Sequence, residues 1–138
     1  MIESKSATPM RVCIIDDDAH LLAHLEQTVS QFGFYAFPAA TVDQAIEIIS
    51  ESNIDAVLVD ILMPERDGLE LIMAIRGLVP RLRIVAMSGG GRMGSGSVLA
   101  MASGLGADAI LTKPFSASEL HMKLVESSAD TPPKQAIY

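Results

Sequence analysis

The stretch VCIIDDDA, residues 12–19, sets four apolar side chains directly before three carboxylates. Unbroken apolar runs of this kind are typical of strands in a parallel sheet that is covered on both faces. The three carboxylates repel one another by about 1 kcal/mol per pair in water, and by more at the edge of a protein interior. A cation is therefore expected beside Asp16, Asp17 and Asp18.

Beyond this stretch, apolar runs alternate with segments whose apolar residues follow helical spacing. The runs are RVCII (11–15), YAFPA (35–39), DAVLVD (55–60), RLRIVAMS (81–88) and DAILT (108–112). Thr41, and Ser116 paired with Glu119, are expected to cap helices, and Gly33 is expected to end one. This order predicts an α/β fold with a doubly wound, five-stranded parallel sheet, and Pro38 places the run 35–39 at an edge.

The composition indicates one domain with an aliphatic core. The chain has 138 residues, of which 49% are hydrophobic and 4% aromatic. We expect a flexible leader over residues 1–9, the domain over 10–127, and a tail or linker start over 128–138. The single Cys13 is expected to pack as a small hydrophobe, and methionines such as Met73 and Met87 are expected to fill gaps in the core.

Charge and hydropathy exclude two classes of partner. The net charge of −7 disfavours direct binding to nucleic acid. No apolar stretch approaches the length of a membrane span, and no secretion signal is present. We therefore expect a cytoplasmic protein without a membrane partner.

Polar side chains follow the ends of several predicted strands. The carboxyl ends of parallel strands meet at one edge of the sheet, so Asp16, Asp17, Asp60, Ser88 and Lys113 are expected to share a pocket. Oxygen ligands of this kind suit Mg²⁺, which often bridges one or two carboxylates to a phosphate. A carboxylate in the pocket could then act as a nucleophile and form an acyl phosphate.

Four segments carry a family resemblance: IIDDD (14–18), VLVDILMPERDG (57–68), AMSG (86–89) and GADAILTKPF (106–115). In order and approximate spacing they resemble the signature segments of the receiver domain of two-component response regulators, especially single-domain chemotaxis regulators. The resemblance covers about residues 11–127. It implies a (βα)5 flavodoxin-like three-layer sandwich and a cytoplasmic role in phosphorelay signal transduction.

The resemblance also implies a role for each site residue. Asp60 would be the phosphoacceptor, with Ser88 as the switch hydroxyl and Lys113, before a cis Pro114, as the phosphate-binding lysine. Mg²⁺ would be held by Asp17 directly, by Asp16 through its water shell, by Asp60, and by the backbone carbonyl of Leu62. The phosphoryl donor would be a histidine kinase or a histidine phosphotransfer protein. Asp18 is interpreted instead as a helix N-cap.

Three departures from the family pattern stand out. Ile110 occupies the position of the switch aromatic, so a rotamer change of Tyr or Phe cannot report phosphorylation there. The loop GGGRMGSGS (89–97) is longer and richer in glycine than usual, which predicts a mobile loop and a short fourth helix. Leu62 and Gly90 occupy the positions that tune phosphoryl lifetime, and neither side chain can orient water. Slow autodephosphorylation is therefore expected.

The favoured interpretation is a phosphoacceptor that switches its affinity for a downstream protein and is not itself an enzyme, with a phosphorylation-dependent homodimer as one outcome. The alternative, favoured by Ile110, is a receiver-like interaction domain that works without phosphorylation. A less favoured alternative is an Mg²⁺-dependent phosphohydrolase. Such enzymes usually carry a second aspartate two residues after the nucleophile, where this chain has Leu62.

Overall fold

The computed structural model describes residues 9–61, 68–89 and 104–126. Five parallel strands form one sheet in the order β2, β1, β3, β4, β5. The strands are β1 (Arg11–Ile15), β2 (Tyr35–Ala39), β3 (Ala56–Asp60), β4 (Arg83–Ser88) and β5 (Ala109–Thr112). The helices are α1 (Ala19–Gln31), α2 (Val42–Glu51), α3 (Gly68–Leu78) and α4 (Ala117–Val125). The doubly wound prediction is confirmed, including the edge position of β2.

The core is divided by the sheet into two hydrophobic clusters. Alternate residues of a strand point to opposite faces, so Val12 and Ile14 pack with α1 and α4 while Cys13 and Ile15 pack with α2 and α3. Residues of β3 and β4 contribute to both clusters in the same way. The result is a three-layer sandwich in which β1, β3 and β4 are buried on both faces.

Strands β3 and β5 each begin one residue later than their apolar runs, and β4 begins two residues later. The aspartates that precede β3 and β5 use their side chains as hydrogen-bond acceptors. Asp55 accepts a hydrogen bond from the Arg11 backbone N–H at 2.8 Å. Asp108 accepts from the Ile84 N–H and from Arg76 Nη2, both at 2.8 Å. These polar contacts fix the amino-terminal ends of the central strands.

The predicted helix caps are confirmed. The Asp18 side chain accepts from the backbone N–H groups of the first turn of α1, and Thr41 accepts from the N–H of Gln44. Ser116 and Glu119 form the reciprocal capping box of α4. Gly33, just past the end of α1, has a φ of 92°, which explains why glycine follows that helix.

The predictions for sulfur-containing residues have a mixed outcome. Cys13 is fully buried, and this burial raises the pKa of its thiol to about 12, so it packs as an inert hydrophobe. Met87 is fully buried, as predicted, but the prediction for Met73 is wrong. Met73 is 54% exposed because it lies off the stripe of α3 that buries Leu71, Ile72 and Ile75.

Some sequence predictions fall outside the described residues, namely those for most of the leader, for the tail, for the glycine-rich loop beyond Gly89 with the short helix after it, and for the Leu62 carbonyl. Gly104 and Leu105, which are described, are helical. None of the helices in the described ranges has the length and apolar character needed to cross a membrane.

Candidate functional site

The carboxyl-terminal edge of the sheet gathers the predicted site residues. Asp16 directly follows β1, Asp60 ends β3 and Ser88 ends β4, and all three are buried. Lys113 follows β5 and has a half-buried side chain. The burial of two carboxylates and a hydroxyl at one edge distinguishes this site from an ordinary polar surface.

Lys113 connects these groups. Its Nζ lies 3.3 Å from Asp60 Oδ2 and 3.5 Å from Asp16 Oδ2, and its backbone N–H donates to the Ser88 carbonyl at 2.8 Å. The bond to Ser88 continues the ladder between β4 and β5, so the start of the lysine side chain is fixed by the sheet. The Lys113–Pro114 peptide is cis, as the resemblance implied. One ammonium group thus faces two carboxylates from different strands.

Asp17 completes the acidic group. One carboxylate oxygen each from Asp16, Asp17 and Asp60 lies within 4.8 Å of the others, and Asp17 is exposed to solvent. Asp18 uses its side chain as a helix cap, as predicted. Three hard oxygen donors at this spacing, one of them facing water, fit a divalent cation such as Mg²⁺ that keeps part of its water shell.

Ser88 supplies a second indication of a ligand. Its Oγ is buried and has no hydrogen-bond partner within the described ranges. A buried hydroxyl without a partner costs about 1 to 3 kcal/mol. A polyoxygen anion bound between Ser88 and Lys113 would satisfy both groups, so the residues present fit a phosphoryl group as well as a metal.

Burial also affects the ionisation of Asp16. Desolvation raises the pKa of its carboxyl group, the Asp18 backbone N–H donating at 2.9 Å opposes that rise, and the nearby Asp60 charge adds to it. Lys113 lowers the pKa, but by less than burial raises it. Ionised Asp16 is therefore held at a cost in stability when no cation is present.

Asp16→Asn is expected to stabilise the metal-free protein at neutral pH by about 1 kcal/mol or more, because it removes a buried charge next to Asp60. The raised pKa means that Asp16 binds its proton more tightly in the folded state, so its contribution to stability falls as pH rises through that pKa. Urea unfolding with a chelator, from about pH 4 to about pH 7, checks this expectation.

The matched control is Asp17→Asn, which removes an exposed carboxylate from the same cluster. Its increase in the free energy of unfolding should be smaller, because an exposed charge retains its hydration. An equal increase in stability in the two variants, or a loss of stability in Asp16→Asn, would contradict the conclusion that the buried charge of Asp16 destabilises the metal-free protein.

An apolar cavity of about 440 Å³ lies beside the acidic cluster, between α1 and the turn before α4. Its lining includes Leu21, Leu25, Phe115 and Leu120, and Lys113 and Gly89 join it to the site. The polar residues His24, Thr28 and Ser116 also line it.

Ile110 and His121 have surroundings that the sequence alone does not indicate. Ile110, at the position of the switch aromatic, is half-buried in β5. His121 is exposed, stacks on Phe34 with ring centroids 5.6 Å apart and meets the Phe32 ring edge-on at 4.8 Å. Both aromatic partners lie near the end of α1, so this cluster is remote from the acidic site.

Comparison with known proteins gives a consistent result. The chain matches the family described as response regulator receiver domain over residues 12–125. It is 34% identical over 115 residues to the transcriptional regulatory protein PrrA of Mycobacterium tuberculosis, which covers 82% of this chain and 47% of that protein. The chain thus spans about half the length of the curated relatives it matches.

Solved structures show the same fold. A CheY-like receiver domain protein from Methanospirillum hungatei JF-1 superposes with a TM-score of 0.78 at 27% identity, over 93% of this chain and 99% of that one. The beryllofluoride-activated NtrC4 receiver domain dimer superposes with a TM-score of 0.74 at 25% identity, over 83% and 92%.

Proposed function

Because the chain belongs to the response regulator receiver domain family, we propose that Asp60 accepts a phosphoryl group from a phosphohistidine on a partner kinase or phosphotransfer protein. The observation that carries this proposal is the convergence on one pocket of Asp60, the Lys113 ammonium group and the Ser88 hydroxyl, which has no hydrogen-bond partner among the described residues. The Ser88 hydroxyl lacks a hydrogen-bond partner within the described residues, and the Lys113 ammonium group can bind a further anion. A phosphoryl group on Asp60 would supply oxygens to both groups, and Mg²⁺ would offset the added negative charge.

The transfer is a displacement at phosphorus. A carboxylate oxygen of Asp60 forms the new bond to phosphorus while the bond to the donor's imidazole nitrogen breaks, and that nitrogen leaves with the electron pair. Lys113 and Ser88 bind the oxygens of the transferred group, which spreads its charge. Lys113 already lies 3.3 Å from Asp60, so little rearrangement is needed.

Asp16, Asp17 and Asp60 would hold Mg²⁺, and the family pattern adds the Leu62 backbone carbonyl. The ion would neutralise charge on the acidic cluster and on the transferred phosphoryl group. The chain's own contribution is to keep two carboxylates buried at the ends of neighbouring strands, where their positions are fixed by the sheet.

The output of the switch is a change in affinity for a downstream protein. Ser88 and Lys113 are joined through the ladder of β4 and β5, so their movement onto a phosphoryl group would shift that edge of the sheet. Because Ile110 occupies the position of the switch aromatic in β5, a partner protein would respond to this shift without any change in an aromatic rotamer. Homodimer formation on phosphorylation, in the cytoplasm, is one form of this output, with residues 10–127 as the responding domain.

The test is incubation of the full chain with acetyl phosphate and Mg²⁺, followed by intact mass measurement. We expect one phosphoryl group per chain, and none when Mg²⁺ is chelated. Steady release of phosphate from an ester without an adduct would favour a phosphohydrolase. No adduct and no turnover would favour an interaction domain that works without phosphorylation.

The phosphorylated chain is expected to lose its label slowly when alone, because Leu62 and Gly90 offer no group that orients an attacking water. Following the adduct by intact mass after removal of acetyl phosphate measures its lifetime. Leu62→Asn, which supplies a polar side chain at one position, should shorten the lifetime several-fold. Loss of the wild-type label within seconds would contradict this prediction.

A further inference from the structure

The contact that carries a further inference lies between the first residue of α3 and the backbone of β3. Gly68 is buried, and its N–H donates to the Ile61 carbonyl at 3.3 Å. A β-carbon on Gly68 would overlap the Asp60 carbonyl oxygen, lie 2.5 Å from Ile61 Cα and lie 3.0 Å from the Asp60 carbonyl carbon. The helix therefore starts directly against the peptide of Asp60.

This approach is unusual among the glycines that the structure describes. A β-carbon would find open space at Gly33, Gly77, Gly89 and Gly104, and at Gly106 it would meet only the side chain of Arg76. A side chain can move aside at small cost, whereas displacing a backbone at the end of a strand costs more and carries the attached side chain with it. Gly68 is needed here for the space it leaves.

The overlap has to be relieved either by α3 or by the end of β3. The helix is anchored by Leu71, Ile72 and Ile75, all fully buried. The ladder of β3 with β4 ends at Asp60, and Ile61 beyond it makes two backbone bonds, one to Met87 at 3.1 Å and one to Gly68 itself at 3.3 Å. Because the sheet pairing stops here, the displacement is expected at Asp60 and Ile61 and not in the packed face of α3.

We propose that Gly68 is a positioning residue that sets the phosphoacceptor carboxylate at its distance from Lys113 and from the other two carboxylates. This inference rests on the proposed function of Asp60. Any side chain at position 68 would move the Asp60 peptide, and the carboxylate with it. Displacements of about 1 Å at a reacting group can cost about a hundredfold in rate.

The test variant is Gly68→Ala in the full chain. We expect phosphorylation by acetyl phosphate to slow by about ten- to a hundredfold and Mg²⁺ binding, measured by calorimetry, to weaken. Gly77→Ala is the matched control, since it makes the same change in the same helix where a β-carbon has open space. It should label at the wild-type rate and be no less stable to urea.

Ile75→Val separates positioning from stability, because it weakens the packing of α3 without touching Asp60. It should lower the urea midpoint and leave the labelling rate unchanged. If Gly68→Ala unfolds the protein, the experiment is repeated in the Gly77→Ala background. A variant that remains unfolded there overturns the proposal, because the overlap would then be relieved by unfolding and not by displacement of the Asp60 peptide.

A folded Gly68→Ala protein that labels at the wild-type rate overturns the proposal, as does an Ile75→Val protein slowed to the same extent. Failure of the proposed function looks different, since the wild-type chain itself would then take no label. In that case the Mg²⁺ affinity still tests the positioning role of Gly68, and an unchanged affinity in Gly68→Ala would overturn that role.

Discussion

Replacing Asp60 with Asn is expected to reduce phosphorylation by acetyl phosphate more than about a thousandfold, because the amide oxygen is a far weaker nucleophile than the carboxylate. The substitution also replaces one of the two carboxylates that Lys113 contacts, which is one of the three carboxylates of the acidic cluster, with a neutral amide. Mg²⁺ affinity should fall together with labelling. Intact mass after incubation with acetyl phosphate measures the first effect, and calorimetry measures the second.

Asp18→Asn is the matched control for that variant. It removes one carboxylate from the same acidic run, while asparagine caps a helix about as well as aspartate. The Asp18 side chain is bonded to the first turn of α1 and lies outside the cluster of three carboxylates. Labelling should therefore match the wild type. A large loss in Asp18→Asn, or retained labelling in Asp60→Asn, would contradict the assignment of the acceptor.

Replacing Lys113 with Met is expected to slow phosphorylation about a hundredfold, since it removes a preorganised positive charge from the position where charge is transferred. The variant should also be less stable without Mg²⁺, because Asp16 and Asp60 then face each other without the ammonium group between them. Saturating Mg²⁺ should recover part of that stability. Labelling rates and urea unfolding with and without Mg²⁺ measure these effects.

Two further variants define the role of the lysine. Lys113→Arg keeps the charge but changes its geometry, so it should retain stability better than labelling. Lys123→Met removes the same charge from α4, which places it away from the acidic cluster, and should label normally. Equal labelling of Lys113→Met and the wild type would mean that the amine does not bind the transferred group.

The fold could be predicted because its local signals agree with one another. The apolar runs, the caps at Asp18 and Thr41 and the capping box at Ser116 all indicated the same alternation of strand and helix, and the structure confirms each. The convergence of Asp16, Asp60, Ser88 and Lys113 followed from the rule that parallel strands share their carboxyl ends. The first residues of β3 and β5 were less predictable, because the side chains of Asp55 and Asp108 accept hydrogen bonds from residues distant in sequence.

Distances between helices and strands could not be predicted from sequence patterns. Gly68 begins α3, and its contact with the Asp60 peptide depends on how that helix packs. The exposure of Met73 and the stacking of His121 on Phe34 depend on helix orientation in the same way. The packed structure was likewise needed to find that Ser88 Oγ has no hydrogen-bond partner in the part of the chain that is described.

The most direct measurement is the position of the acyl phosphate itself. The chain, phosphorylated with acetyl phosphate and Mg²⁺, is reduced with borohydride, which converts the modified aspartate to a stable alcohol, and the peptides are sequenced by mass spectrometry. We predict that the modification lies on Asp60. Modification of Asp16 or Asp17 in its place, or a fully unmodified chain, would contradict the account.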